Sequence, residues 1–168
     1  MKRTRVFTSL AVLFTCLTGC SAINTGISSG IKSGLGIWET RPGPSESLYQ
    51  EHRLVDCPNS PNCISTQSRD PEHAIVPFTY SKPLDEAIFA LKAEMAKIPH
   101  AKLIKEDGPY FHFECRTKVF RFIHDIEFLF DEQTKTLRFR SASRFGYSDW
   151  GVNRERMEDI RNKILGRI

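Results

Sequence analysis

From residue 74 onward the chain switches between two hydrophobic periods, and the switches mark its elements. In "PLDEAIFALKAEMAKI" the apolar residues Leu84, Ile88, Leu91 and Met95 recur at i, i+4, i+7 and i+11. They follow Pro83, whose fixed φ suits the first turn of a helix, so the segment is expected to be an amphipathic helix. The spacing then falls to two. "AKLIKED" and "YFHFECR" meet at Asp107–Gly108, a dipeptide that favours a tight hairpin. "KVFRFIHDIEFLFDEQTKTLRFRSAS" reads as a long strand, a turn around Glu132 to Lys135 and a returning strand. Phe120, Phe122, Ile126, Phe128 and Phe130 share one parity, as do Leu137 and Phe139, so one face of this meander is expected to be heavily aromatic. Cys115 alternates with Phe111 and Phe113, which predicts a buried, inert thiol. Upstream, "AIVPFTY" from Ala74 to Tyr80 is a short β-rich run that Pro77 assigns to an edge. Downstream the helical period returns over Asn153 to Ile168, with Met157, Ile160 and Ile164 as its stripe. An aromatic sheet face must be covered, and the two helices are the available cover. The expected architecture is α+β, an antiparallel meander sheet with two helices packed on one face.

Neither period organises the first fifty residues. Lys2, Arg3 and Arg5 precede an apolar stretch from Val6 to Phe14, and small residues follow from Thr18 to Ala22, the order of a secretory signal. The apolar part is shorter than the roughly 20 residues a membrane-spanning helix needs. Its last residues, "LTGC" from Leu17 to Cys20, resemble a bacterial lipobox. That resemblance implies a diacylglyceryl group on the Cys20 thiol and cleavage ahead of it; ordinary secretion with cleavage after Ala22 is the alternative. Two or more acyl chains hold a protein stably on a bilayer, at about 0.8 kcal/mol per buried methylene. The expected division is a signal peptide over 1–19, a lipidated N-terminus and flexible tether over 20–50, and a single domain over 51–168. The tether reading rests on "INTGISSGIKSGLG" and "RPGPSES", too poor in apolar surface to offset the entropy of ordering. Ile23, Ile27, Ile31 and Leu35 are spaced by four, as on a helix lying on lipid, but the glycines between them oppose that.

Charge changes the picture once the signal is removed. The formal net charge of the whole 168-residue chain is +4, and the signal carries three basic residues and no acidic one, which leaves +1. The basicity therefore belongs mostly to the signal, and a nucleic-acid partner is excluded on that ground. The expected partner is a membrane reached through the lipid. Ser21 rather than Asp follows the cysteine, which by resemblance to bacterial sorting signals implies the outer membrane, facing the periplasm. In such an oxidising compartment Cys57 and Cys63, which flank the turn-forming "PNSPN", are expected to form a disulfide. Their spacing and the lack of a following Cys or His pair do not suit zinc, and no metal or cofactor is expected.

The remaining chemistry concentrates in "SASRFGYSDWGVNR", Ser141 to Arg154, which follows no apolar period. As a strand-to-helix corner it would be held by Ser148 or Asp149 as caps, with Arg144 paired to Asp149 or Glu155. As a site, Arg144, Tyr147, Asp149, Asn153 and Arg154 would receive a small anionic or amphipathic ligand, the arginines supplying bidentate donors and Tyr147 an apolar wall. His112 and His124, with Asp125 and Glu127 nearby, offer acid–base or metal chemistry on neighbouring strands, although Asp125 and Glu127 equally read as a solvated stripe. Ser148 lacks a G-x-S-x-G setting. The favoured reading is a non-catalytic binding or structural module. The rival is a hydrolase using His124, Asp125 or Ser148.

Three motifs in order, "CPNSPNCIS", "FRFIHDIEFLFD" and "RSASRFGYSDWGVNRERMEDIR", resemble the domain-of-unknown-function family 1499 over roughly Leu54 to Ile168. The resemblance implies a small secreted or lipid-anchored bacterial protein and no established activity. The family pattern favours an acidic residue where this chain has His124.

Overall fold

The computed structural model describes Gly43 and residues 53–168. The segment read as a signal peptide, Cys20 and all of the segment read as a tether except Gly43 lie outside the described residues. Six strands form one open antiparallel sheet: β1 (Cys63–Ser65), β2 (Phe78–Thr79), β3 (Ala101–Asp107), β4 (Tyr110–Arg116), β5 (Ile123–Asp131) and β6 (Thr136–Ser143). The order is β1-β6-β5-β4-β3, with β2 also on the outer edge of β6, beyond the end of β1. Two helices, α1 (Leu84–Met95) and α2 (Val152–Ile164), cover one face. The fold is therefore α+β, as the two periods implied.

The hairpin at Asp107–Gly108 forms, with Gly108 at φ 57°, a conformation glycine adopts freely. A bulge between Leu103 and Lys105 breaks the pairing of β3 with β4. Under the helices, Phe111, Phe128 and Phe139 are fully buried with Leu91, Met95, Met157, Ile160 and Ile164. Edge-on ring pairs such as Phe113–Phe128, with centroids 6.1 Å apart, add about 0.5–1.5 kcal/mol each beyond area burial.

Two expected element bounds need correction. β5 starts at Ile123, because Thr117 to Phe122 closes a turn: the Thr117 amide donates to the Phe122 carbonyl, and the Phe122 amide donates to Thr117 Oγ1. Phe120 and Phe122 thus leave the aromatic core face, and Phe120 is 73% exposed. The stripe of α1 faces the core as expected, with Leu91 and Met95 buried and Leu84 and Ile88 half-buried and packed against it; Ala87 and Glu94 are buried beside them. α2 ends at Ile164 rather than Ile168, where Leu165 turns to an extended ψ and Gly166 takes a positive φ of 78°.

The sheet face away from the helices is also buried, and it is charged. Asp125 and Glu127 are 3% and 1% exposed, which overturns the solvated-stripe alternative. Leu54, Tyr110 and Leu129 form a small apolar cluster beside them. Gly43, in the segment read as a tether, lies on the same side: a Cβ at Gly43 would sit 2.8 Å from Arg144 Nη2.

Candidate functional site

Strand parity divides the candidate residues between the two faces. His124 shares the core face with Phe128 and stands at the end of β5, opposite Cys115 on β4 and Ser143 on β6. Ser143 Oγ lies 2.8 Å from His124 Nδ1, and the Asn153 amide donates to that hydroxyl at 3.0 Å. Asn153 gathers the corner. Its amide also donates to the Asn62 carbonyl at 3.0 Å and to Asp149 Oδ2 at 2.6 Å, and its Oδ1 accepts from Ser141 Oγ at 2.7 Å and Arg156 Nη1 at 2.8 Å. Asp149 in turn accepts the Gly151 and Asn153 amides at the start of α2, where the helix dipole favours negative charge.

His124 and Cys115 are held neutral rather than activated. Burial, assisted by the Arg156 charge, lowers the His124 pKa to about 4. Burial also pushes the Cys115 thiol up to about 11, so at neutral pH a thiol faces an uncharged imidazole across two strands. A nucleophilic pair needs the thiolate.

Asp125 and His112 belong to the other face. His112 Nε2 lies 2.7 Å from Asp125 Oδ1, and Arg144 grips the same carboxylate with Nε and Nη2, both at 2.7 Å. Burial alone would raise the Asp125 pKa, but hydrogen bonds from Arg144 and His112 outweigh it and hold the carboxyl below its usual range. The partner of Arg144 is therefore Asp125, rather than Asp149 or Glu155. Next to it, Glu127 accepts from Tyr110 Oη and Arg140 Nη1, both at 2.9 Å. Burial outweighs these partners and raises the Glu127 pKa.

Of the five residues considered as a ligand site, Asp149 and Asn153 meet in the corner, and Arg144 faces the opposite side of the sheet. Arg154 donates to the carbonyls of Ala74 and Glu72, both at 3.0 Å, and Tyr147 is exposed. Ser148 Oγ accepts the Trp150 amide in an exposed loop. Away from these, a cleft of about 840 Å³ opens beside the disulfide loop, lined by Arg53, Arg69, His73 and Arg138 among others. Cys57 and Cys63 are joined, with Sγ atoms 2.07 Å apart, while Cys115 is free and buried.

Sequence reasoning missed Asn62, Ser141, Ser143 and Arg156, the partners of Asn153. The i, i+3 spacing of Asn153 and Arg156 was the available signal, since it puts both on one helix face. Among the described residues no group of three or more His, Cys, Asp or Glu side chains is placed to hold a metal ion. The model of a family described as protein of unknown function (DUF1499) matches residues 53–164. No curated protein and no solved structure matches the chain.

Proposed function

The chain belongs to the DUF1499 family, and from that premise we propose that it is a non-catalytic binding or structural module of the bacterial cell envelope, held to the outer membrane by lipid on Cys20 and facing the periplasm. One observation carries the non-catalytic part. The side chains that a hydrolase would need are split by the sheet and occupied by their own domain, with His124 on the helix side, Asp125 on the other and Ser148 in a surface loop. The "LTGC" motif supports the anchor, and residues 20–50 would serve as tether.

Two experiments test the reading. In cells fed a labelled fatty acid, the parent carries label in the membrane fraction, and Cys20→Ala loses the label and is released or left unprocessed. Label retained by Cys20→Ala overturns the anchor. In a strain dependent on this protein, His124→Gln and Ser148→Ala chains that remain folded are expected to sustain the phenotype. Its loss in either, at normal protein level, overturns the non-catalytic reading in favour of a hydrolase.

A further inference from the structure

The turn over residues 117–122 and the loop over residues 144–151 leave the same end of the sheet, because β4 ends at Arg116, β5 begins at Ile123 and His124 pairs with Ser143. The Arg144 amide donates to the Ile123 carbonyl and ties the two segments together. Here the molecule exposes large apolar side chains: Val119 at 76%, Phe120 at 73% and Trp150 at 94%. Phe120 stacks on Phe122, with centroids 5.4 Å apart, and Phe122 stacks on Phe145 at 4.6 Å, so the exposed ring rests on a built support.

The charge of the 117–122 turn has one sign, while Asp149, beside Trp150, turns its carboxylate to the amides at the start of α2. Residues 115–123, "CRTKVFRFI", hold three cations and no carboxylate. Among the described residues neither Lys118 nor Arg121 has a carboxylate partner, and Arg121 reaches only His100 Nδ1, at 3.3 Å. Behind the tip is a hollow of about 360 Å³ lined by His100, Lys102, Arg116, Arg121 and Glu114. Its one acid is already neutralised: Arg116 binds Glu114 Oε1 at 2.6 and 2.8 Å, and Arg144 lies 3.4 Å from its Oε2. His100, Arg121 and Trp150 all take positive φ, at 62°, 58° and 52°, a costly backbone for residues other than glycine that the surrounding fold must hold in place.

We propose that this end of the sheet docks on an anionic lipid bilayer, with Val119, Phe120 and Trp150 entering the interface and Lys118 and Arg121 meeting lipid phosphates. Aromatic side chains favour the headgroup level of a bilayer, and a protruding tip can enter a fluid interface without a matching cavity. Each cation near an anionic surface strengthens binding by about fivefold. The proposal goes beyond the envelope-module reading and does not require acylation at Cys20, so the two can fail separately.

The test uses the chain from residue 20 onward, which keeps every described residue, with Cys20→Ala to remove the acyl site and Trp38→Phe to leave Trp150 as the reporter. On addition of phosphatidylcholine vesicles containing phosphatidylglycerol, Trp150 emission is expected to shift to the blue and to be quenched by bromine on the lipid chains. Pure phosphatidylcholine should give little of either. Lys118→Ala with Arg121→Gly, the glycine suiting that positive φ, should keep the melting temperature and weaken the response by about 25-fold. Emission indifferent to anionic vesicles, or an equal response from the charge variant, overturns the proposal. So does a blue shift that grows with protein concentration in the absence of lipid, which would identify a second copy of the chain as the occupant.

Discussion

His124 and Arg144 show how single side chains set the acid sensitivity of the domain. Burial holds the imidazole neutral, with a folded pKa of about 4 against an ordinary 6.5. The unfolded chain therefore binds a proton first as pH falls. The contribution of His124 to stability is complete above 6.5, is lost progressively between 6.5 and 4, and amounts to a loss on the order of 3 kcal/mol. Thermal melts against pH should show this slope, and His124→Gln should flatten it; an identical slope in the variant would place the proton elsewhere. Asp125 acts lower on the scale. Its folded pKa is depressed, so its contribution is present above the ordinary carboxylate range and disappears as pH falls through the folded value. Arg144→Ala leaves that buried carboxylate with His112 alone and should cost about 2–3 kcal/mol at neutral pH. An unchanged melting temperature would return Arg144 to the list of ligand-binding residues.

Between elements, a polar contact that joins the start of α2 to the sheet is Asn153, whose side chain meets β6, Asp149 and the Asn62 carbonyl just ahead of β1. Asn153→Ala strands several buried partners at once and should cost more than Asp149→Ala, which loses a capping acceptor worth about 1 kcal/mol. Chemical denaturation of both variants checks the order, and the reverse order would move the join to Asp149. The helices, the hairpin and the returning strand were legible because each stripe is periodic and long. Phe120 and Phe122 misled because parity carries on through a turn without marking it, and only the local bond between Thr117 and Phe122 shows where β5 begins. The charged face stayed open to a solvated reading because alternating Asp125 and Glu127 look solvated until their partners, Arg140 on β6 and Arg144 just after it, are known. The acids and bases of the candidate site were legible as residue types. Their division between two faces needed the register.

For the molecule as a whole, the disulfide closes a short loop, with the two cysteines six residues apart. In the chain-entropy view it contributes about 2 kcal/mol, so reduction should lower the melting temperature without abolishing folding. In the chain from residue 20 onward carrying Cys20→Ala, native thiol counting should find Cys115 unreactive and denatured counting should find it free; more than one reactive thiol in that native, non-reduced protein would refute the pairing. Gly43 lies against the guanidinium of Arg144, and Gly43→Val should displace that flexible end at a smaller cost than Arg144→Ala. Equal stability of parent and variant would show that Arg144 yields without loss. The bulge between Leu103 and Lys105 bears on a different hazard. β3 lies at the rim of the sheet with Ile104 47% exposed, and a straight rim strand is a template on which another chain can add and start a fibril. The extra residue kinks that template and the neighbouring Lys102 and Lys105 charge it, so many copies can crowd together without polymerising through their sheets.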